Sequence, residues 1–430
     1  MIKRILIVVL VTISASLVAQ RNSSSPYSFF GIGEDVSRTT VEQASMGGIG
    51  VALKDVNHLN FINPAANADL RFATYAIGGE VSLLNISNGT SEDSGNTTSL
   101  RYIALGFPIG KNAGFTTGLQ PVSNVGYALL NTTNDTNGDF LEATRFSGNG
   151  GTSRLFGTFG FNVFKDLAVG FEAAFIFGTI NNSISNQRAN VSLLTRYEKE
   201  TRVRGGQFKL GTQYKKKLNN NLELNVGLAL QLESELSVTG SEILYSYNFS
   251  AFSGLEEPRD TLYNRSVNGK LINPVKTIMG IGIGKENKWY AGIDYEFQDA
   301  FQNQGNLVQG STYKFESSNR LSLGGYYIPK ISSISSYWDR VTYRGGLRFQ
   351  KTGLLVDGTN SGTNFTSIDD FGINLGFGLP MPRQLSSLNL GFEYGQKGTT
   401  NDNLIKESYF NVRLSLSLNS TNWFKKRQID

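Results

Sequence analysis

The chain has no cysteine, a single histidine (His58) and only nine prolines in 430 residues. Lack of cysteine excludes disulfides, thiolate metal sites and a lipid-anchored cysteine, although an exported protein could have used them. No apolar run is long enough to cross a bilayer as a mature helix. Net charge is also small. The formal +5 falls to about +3 without Lys3 and Arg4, and the remaining charges are scattered, which points away from nucleic acid as a partner.

The first residues, "MIKRILIVVLVTISASLVAQ", carry a positive start, a short apolar stretch and small residues up to Ala19. They read as a signal peptide over 1–19. The chain is rich in glycine (48), phenylalanine (28) and tyrosine (18). Mean hydropathy is nevertheless slightly negative. A transmembrane barrel needs that mixture, with apolar and aromatic residues on one face of each strand and small or polar ones on the other.

The period carries the fold. In "FNVRLSLSLN", Phe410, Val412, Leu414, Leu416 and Leu418 alternate with Asn411, Arg413, Ser415, Ser417 and Asn419. "LELNVGLALQLE" and "FGINLGFGL" repeat the pattern. Alternation this long predicts membrane-spanning strands. About fourteen are expected, near 72–86, 100–109, 113–128, 153–164, 167–182, 204–217, 222–240, 272–284, 288–300, 318–328, 341–350, 371–379, 388–397 and 409–418. Tight turns such as "GKN" and "KD" alternate with long polar connections, among them "SNGTSEDSGNTTS" and the stretch 241–271. The expectation is an all-β antiparallel transmembrane barrel over 71–419 with a tail over 420–430. Both termini fall on the periplasmic side of a Gram-negative outer membrane, with its lipid as the surrounding partner. Aromatics flanking the strands, Trp289 and Tyr290 among them, read as interfacial girdle residues.

Residues 20–70 are more than a barrel needs to begin, and a lumen of this strand number needs filling. They read as an N-terminal lumenal hatch. Within them, "SMGGIGVALKDVNHLNFINPAA" contains Gly48 and Gly50 but no dinucleotide or phosphate-loop spacing. His58 reads as a turn or loop residue. With no second histidine, no thiolate and no calcium-loop spacing, neither an enzyme, a cofactor nor a metal is expected.

The run Met46, Gly47, Gly48, Gly50, Val51 and Ala52, followed by Asn63, Pro64 and Ala65, resembles the hatch of the FadL family of long-chain fatty acid and hydrophobic-compound channels. The signal cut and closing residues are similar in style to Bacteroidota outer-membrane proteins. The resemblance implies passive movement of an apolar small molecule past a hatch, then sideways through an opening made by a kink in the third strand. Gly118, Pro121 and Gly126 lie in that strand, and Pro121 is the candidate kink. The alternative is a barrel that does not transport and instead serves an outer-membrane protein partner, as the family relative of the type IX secretion system is expected to do.

Overall fold

The structure, a computed structural model, describes residues 25–218, 221–250, 252–305, 312–381 and 386–420. The expected signal peptide, the start of the expected hatch segment and the expected tail beyond 420 lie outside the described residues.

Among the described residues, nineteen strands run in chain order: β1 (Glu34–Asp35), β2 (Ala73–Ser87), β3 (Glu92–Ile109), β4 (Ala113–Asn134), β5 (Phe140–Phe164), β6 (Leu167–Arg188), β7 (Leu194–Lys217), β8 (Leu222–Gln231), β9 (Ser234–Phe249), β10 (Glu256–Asn273), β11 (Lys276–Lys285), β12 (Trp289–Gln298), β13 (Gln302–Gly305), β14 (Tyr313–Phe315), β15 (Ser318–Tyr327), β16 (Thr342–Val356), β17 (Thr366–Pro380), β18 (Ser387–Gly398) and β19 (Lys406–Ser420). β8 continues into β9, β10 into β11 and β12 into β13, each across a short break, and β14 and β15 share one partner, β16. Neighbours pair antiparallel all the way round. β19 closes on β2, and the result is a closed 14-stranded barrel.

Alternation works inside out compared with a soluble sheet. Along β19, Asn411, Arg413, Ser415 and Ser417 are buried in the interior. Phe410 and Leu418, of the opposite parity, are exposed. Ile77 and Leu83 on β2, Phe171 and Phe175 on β6, and Ile281 and Ile293 on β11 and β12 are exposed in the same way. Round a closed barrel, they form a lipid-facing belt.

Many strands outrun the sequence-based expectation. β4 continues to Asn134, β5 begins at Phe140, and 241–271 is a paired ladder of β9 and β10 rather than a loop. Likewise only four residues, 88–91, join β2 to β3. Beyond the belt both faces of a strand meet water, so alternation fades while backbone pairing continues. A phase slip adds to this. Val226 and Leu228 are exposed on β8, whereas Leu236 and Val238 are buried on β9. Between them, the break at Leu232–Glu233 moves the apolar set to the other face.

The short turns 110–112, 165–166 and 286–288 share one rim with the start of β2 and the end of β19. That rim is the terminal rim, and the opposite one the far rim.

Candidate functional site at the plugged lumen and the split wall

Residues 25–70 contain little regular structure. One turn of helix, α1 (Val41–Ala44), starts at Thr40, whose hydroxyl accepts the Gln43 N–H while the Gln43 side chain accepts the Thr40 N–H. The helix stops where Gly47 and Gly48 adopt φ of 71° and 87°, a conformation that favours glycine. A Cβ on Gly48 would meet only Ser322 Oγ at 3.9 Å. There the backbone conformation, not space, calls for glycine.

The segment then crosses to the wall. Gly50 and Val51 donate their N–H groups to Asp294 Oδ2 on β12, at 2.7 and 2.8 Å. Asn63 is the hub of the next turn. Its Oδ1 accepts Ala65 N–H at 3.0 Å, and its Nδ2 donates to Val51 O at 2.7 Å and to Thr212 O of β7 at 3.0 Å. Pro64 opens the 3-10 turn Pro64–Asp69, where its missing N–H costs nothing. Lys209 of β7 donates to Phe61 O at 3.0 Å and pairs with Glu172, itself 2.6 Å from Arg154; all three charged groups are buried.

Glycines on the inner face of the wall make the close approach possible. A Cβ on Gly227 (β8) would lie 2.1 Å from Val51 O. On Gly324 (β15) and Gly346 (β16) it would meet the Met46 carbonyl at 2.2 Å, and on Gly170 (β6) the Pro64 carbonyl carbon at 2.4 Å. On Gly211 (β7) it would lie 2.1 Å from Asn63 Oδ1. Met46, Asn63, Pro64 and Ala65 are almost wholly buried. Thus Met46, Gly47, Gly50, Asn63, Pro64 and Ala65 come together in one layer in contact with strands on many sides of the lumen. Gly48 faces the space above that layer.

That space is a cavity of about 700 Å³ toward the far rim. One side carries paired charges. Arg413 bonds Glu80 at 2.5 Å and Glu393 besides, and Arg348 pairs with Asp370 at 2.8 Å and Glu393 at 3.0 Å. The other side carries an apolar cluster of Val122, Ile176, Ile180, Leu236, Val238 and Leu271, with Glu242 paired to Lys199 and Arg265 farther out on the same strands.

The wall is incomplete beside the apolar cluster. β3 and β4 pair only from Ile109–Ala113 to Ile103–Leu119. Farther out, β3 stays paired with β2 as far as Glu92 and β4 with β5 as far as Asn134, but not with each other. On the neighbouring β2, Val81 and Leu83 lie opposite Thr98 and Asn96 of β3 and are exposed. The split therefore begins within the lipid-facing belt. The register of β4 with β5 shifts between Pro121 and Ser123. There β1 pairs antiparallel with β4, Glu34 with Asn124 and Asp35 with Ser123, and Val36 N–H donates to Val122 O at 2.9 Å. Gly118 lies in the ladder below the split, Pro121 at the irregularity, and Gly126 above it, donating its N–H to Ser28 Oγ at 3.2 Å.

His58 does sit in the connection after Lys54, but it is not idle. Its Nδ1 is 2.8 Å from Asp55 Oδ2 and its Nε2 3.1 Å from Ser387 Oγ. Burial opposes the imidazolium, yet the Asp55 carboxylate outweighs it and raises the pKa above the ordinary value. Asp55, despite its own burial, is lowered by the same partner. Sequence reasoning missed Asp294, β1 and Ser387. Only Asp294 had a signal, a carboxylate on the inward-facing parity of β12. Among the described residues no group of three or more His, Cys, Asp or Glu side chains could hold a metal ion.

The closed antiparallel barrel of this strand number has the fold of the FadL-like barrels. The Ralstonia pickettii toluene transporter TbuX superposes with a TM-score of 0.57 at 13% identity, over 89% of this chain and 99% of that one. A monoaromatic hydrocarbon channel, CymD, gives 0.56 at 14% over 89% and 97%. A Pseudomonas aeruginosa FadL homologue gives 0.56 at 15% over 88% and 97%. The chain itself belongs to the BamG family, whose model matches residues 1–430. No curated protein matches the sequence.

Proposed function

We propose that this barrel is a passive outer-membrane route for small apolar molecules, which enter the cavity from outside and leave sideways between β3 and β4. The observation that carries the reading is the unpaired wall beside the apolar cluster of the cavity. A ligand that leaves there never crosses the packed layer beneath. Burial on Val122, Ile176 and Leu236 would stabilise it by about 0.8 kcal/mol per methylene. Residues 25–70 act as the hatch, and β1 is its gate, seated on the free edge of β4. The glycines and the Asn63–Pro64–Ala65 turn hold that gate in place, while Gly118, Pro121 and Gly126 shape the edge it closes. The short turns and both termini then lie on the periplasmic side. The similar toluene and hydrocarbon channels support this reading at the level of fold.

The test is a disulfide between Asp35→Cys and Ser123→Cys, a registered pair in a chain with no native cysteine. Oxidised, it should stop uptake of a radiolabelled apolar solute such as toluene into proteoliposomes, and reduction should restore it. Equal uptake in both states removes the gate.

A second reading, a barrel that serves a protein partner, is favoured by one feature. The β9–β10 hairpin ends beyond the belt with Phe249, Phe252 and Leu255 exposed. Co-purification of a stoichiometric partner after mild extraction, lost in Phe252→Ser/Leu255→Ser, would support that role. Unchanged co-purification would exclude this hairpin as its contact.

A further inference from the structure

Asp55, His58 and Ser387 form a chain of side chains that the transport reading does not use. One ring nitrogen of His58 faces a carboxylate and the other a hydroxyl, at 2.8 and 3.1 Å. In this order a carboxylate fixes the tautomer of an imidazole that can take a proton from serine. Asp55 is held in turn, its Oδ1 accepting the Asn57 N–H at 2.8 Å. Ser387 opens β18 at the terminal rim, and its Oγ accepts from Asn389 Nδ2 at 3.2 Å. The His58 and Asp55 side chains retain 17% and 31% exposure, and Ser387 is half-buried, so the group is not sealed in the core.

We infer that Ser387 is the nucleophile of an acyl-transfer site, with His58 as its base and Asp55 as the group that orients the base, acting on carboxylic esters at the terminal rim. Ser387 Oγ bonds to the ester carbonyl carbon while its proton passes to His58 Nε2. The bond from that carbon to the alcohol oxygen breaks, and the alcohol leaves with the proton from His58. Water then attacks the acyl-serine, giving its proton to His58. Ser387 leaves with that proton and the carboxylic acid is released. Ester and water become acid and alcohol with no change of oxidation state. Asn389 Nδ2, which also donates to Glu42 Oε1 at 2.6 Å, anchors Ser387 Oγ on the strand.

The test is labelling of the purified full chain in detergent with a fluorophosphonate probe, alongside turnover of a short-chain p-nitrophenyl ester. Ser387→Ala should lose the label and Ser386→Ala should keep it. His58→Gln should slow labelling about 10²-fold, with Asp55→Asn as a second variant should the first fail to fold; the compact gel form of the barrel verifies folding. The labelling rate should rise with pH as His58 loses its proton, above the ordinary histidine value. Besides Asp55, the charged groups acting on the imidazole are Glu42 of α1 and Arg344 of β16, and Tyr326 of β15 acts on Asp55. No label on the native chain, label surviving in Ser387→Ala, or native-rate labelling of a folded His58→Gln or Asp55→Asn overturns the assignment.

Discussion

Two seams of the barrel differ sharply. Where the ends of the sheet meet, β19 and β2 pair from Lys406–Ser87 to Ser420–Ala73 without a register shift. Between β3 and β4, in the middle of a continuous stretch of chain, pairing stops at Ile103–Leu119. Closure between strands far apart in sequence is thus complete, while a hairpin of neighbours comes apart. Loop entropy would favour the reverse. The difference lies in the residues. β19 alternates and carries no proline, whereas β4 has Pro121 at a register shift and β1 of the N-terminal segment bonded to its edge. An unpaired edge in lipid costs several kcal/mol for each orphaned group. The N-terminal segment offsets part of that cost where it pairs with Val122, Ser123 and Asn124.

The contrast between the seams breaks most readily through the N-terminal segment in the lumen. Gly346→Val combined with Gly324→Val puts side-chain atoms onto the Met46 carbonyl, and the expected outcome is loss of the compact barrel form on unheated gels. Gly206→Val, which has no atom within 4 Å, should be silent. Glu172→Gln should cost about 3–5 kcal/mol, because it leaves Arg154 and Lys209 buried without their carboxylate; chemical denaturation would read this out. Asp294→Asn should cost less, about 1–3 kcal/mol, since the neutral amide oxygen can still accept from both Gly50 and Val51 but without the carboxylate's charge, and amide exchange at those two positions should quicken.

The smallest effect concerns pH. The raised pKa of His58 makes its contribution to stability full below about 6.5, and that contribution is lost as pH rises through the folded value. The lowered pKa of Asp55 makes its contribution full above about 3.9, lost as pH falls through its folded value. The pair should therefore stabilise the N-terminal segment most between about pH 4 and 6.5. The difference in melting temperature between the native chain and His58→Gln should be largest in that window and shrink on either side. A difference independent of pH would remove the ion pair as a source of stability.

Much of the fold is legible in the sequence. Alternation in β8, β17 and β19 is strong because each of those strands crosses lipid, and the small residues from Met46 to Ala65 mark a segment that packs tightly. The wall glycines opposite them can be assigned to the inward face but not to a partner, since nothing local says which strand Val51 or Met46 will touch. β1 is two residues long and carries no pattern at all. The extensions of β5, β7, β9 and β10 look like loops in the sequence because water on both faces removes the period. Ser387 is separated from His58 by most of the barrel and meets it only through closure.

Whether the wall is open between β3 and β4 beyond Ile103–Leu119 decides the exit route, and cysteine trapping tests it most directly. Continued in register, that ladder would bring Thr98 opposite Asn124 and Ser99 opposite Ser123. An open wall gives no spontaneous disulfide in Thr98→Cys/Asn124→Cys or Ser99→Cys/Ser123→Cys. The paired control Phe107→Cys/Phe115→Cys, below the split, should oxidise readily. Efficient oxidation of either upper pair would mean a closed wall, and the lateral route would be lost with it.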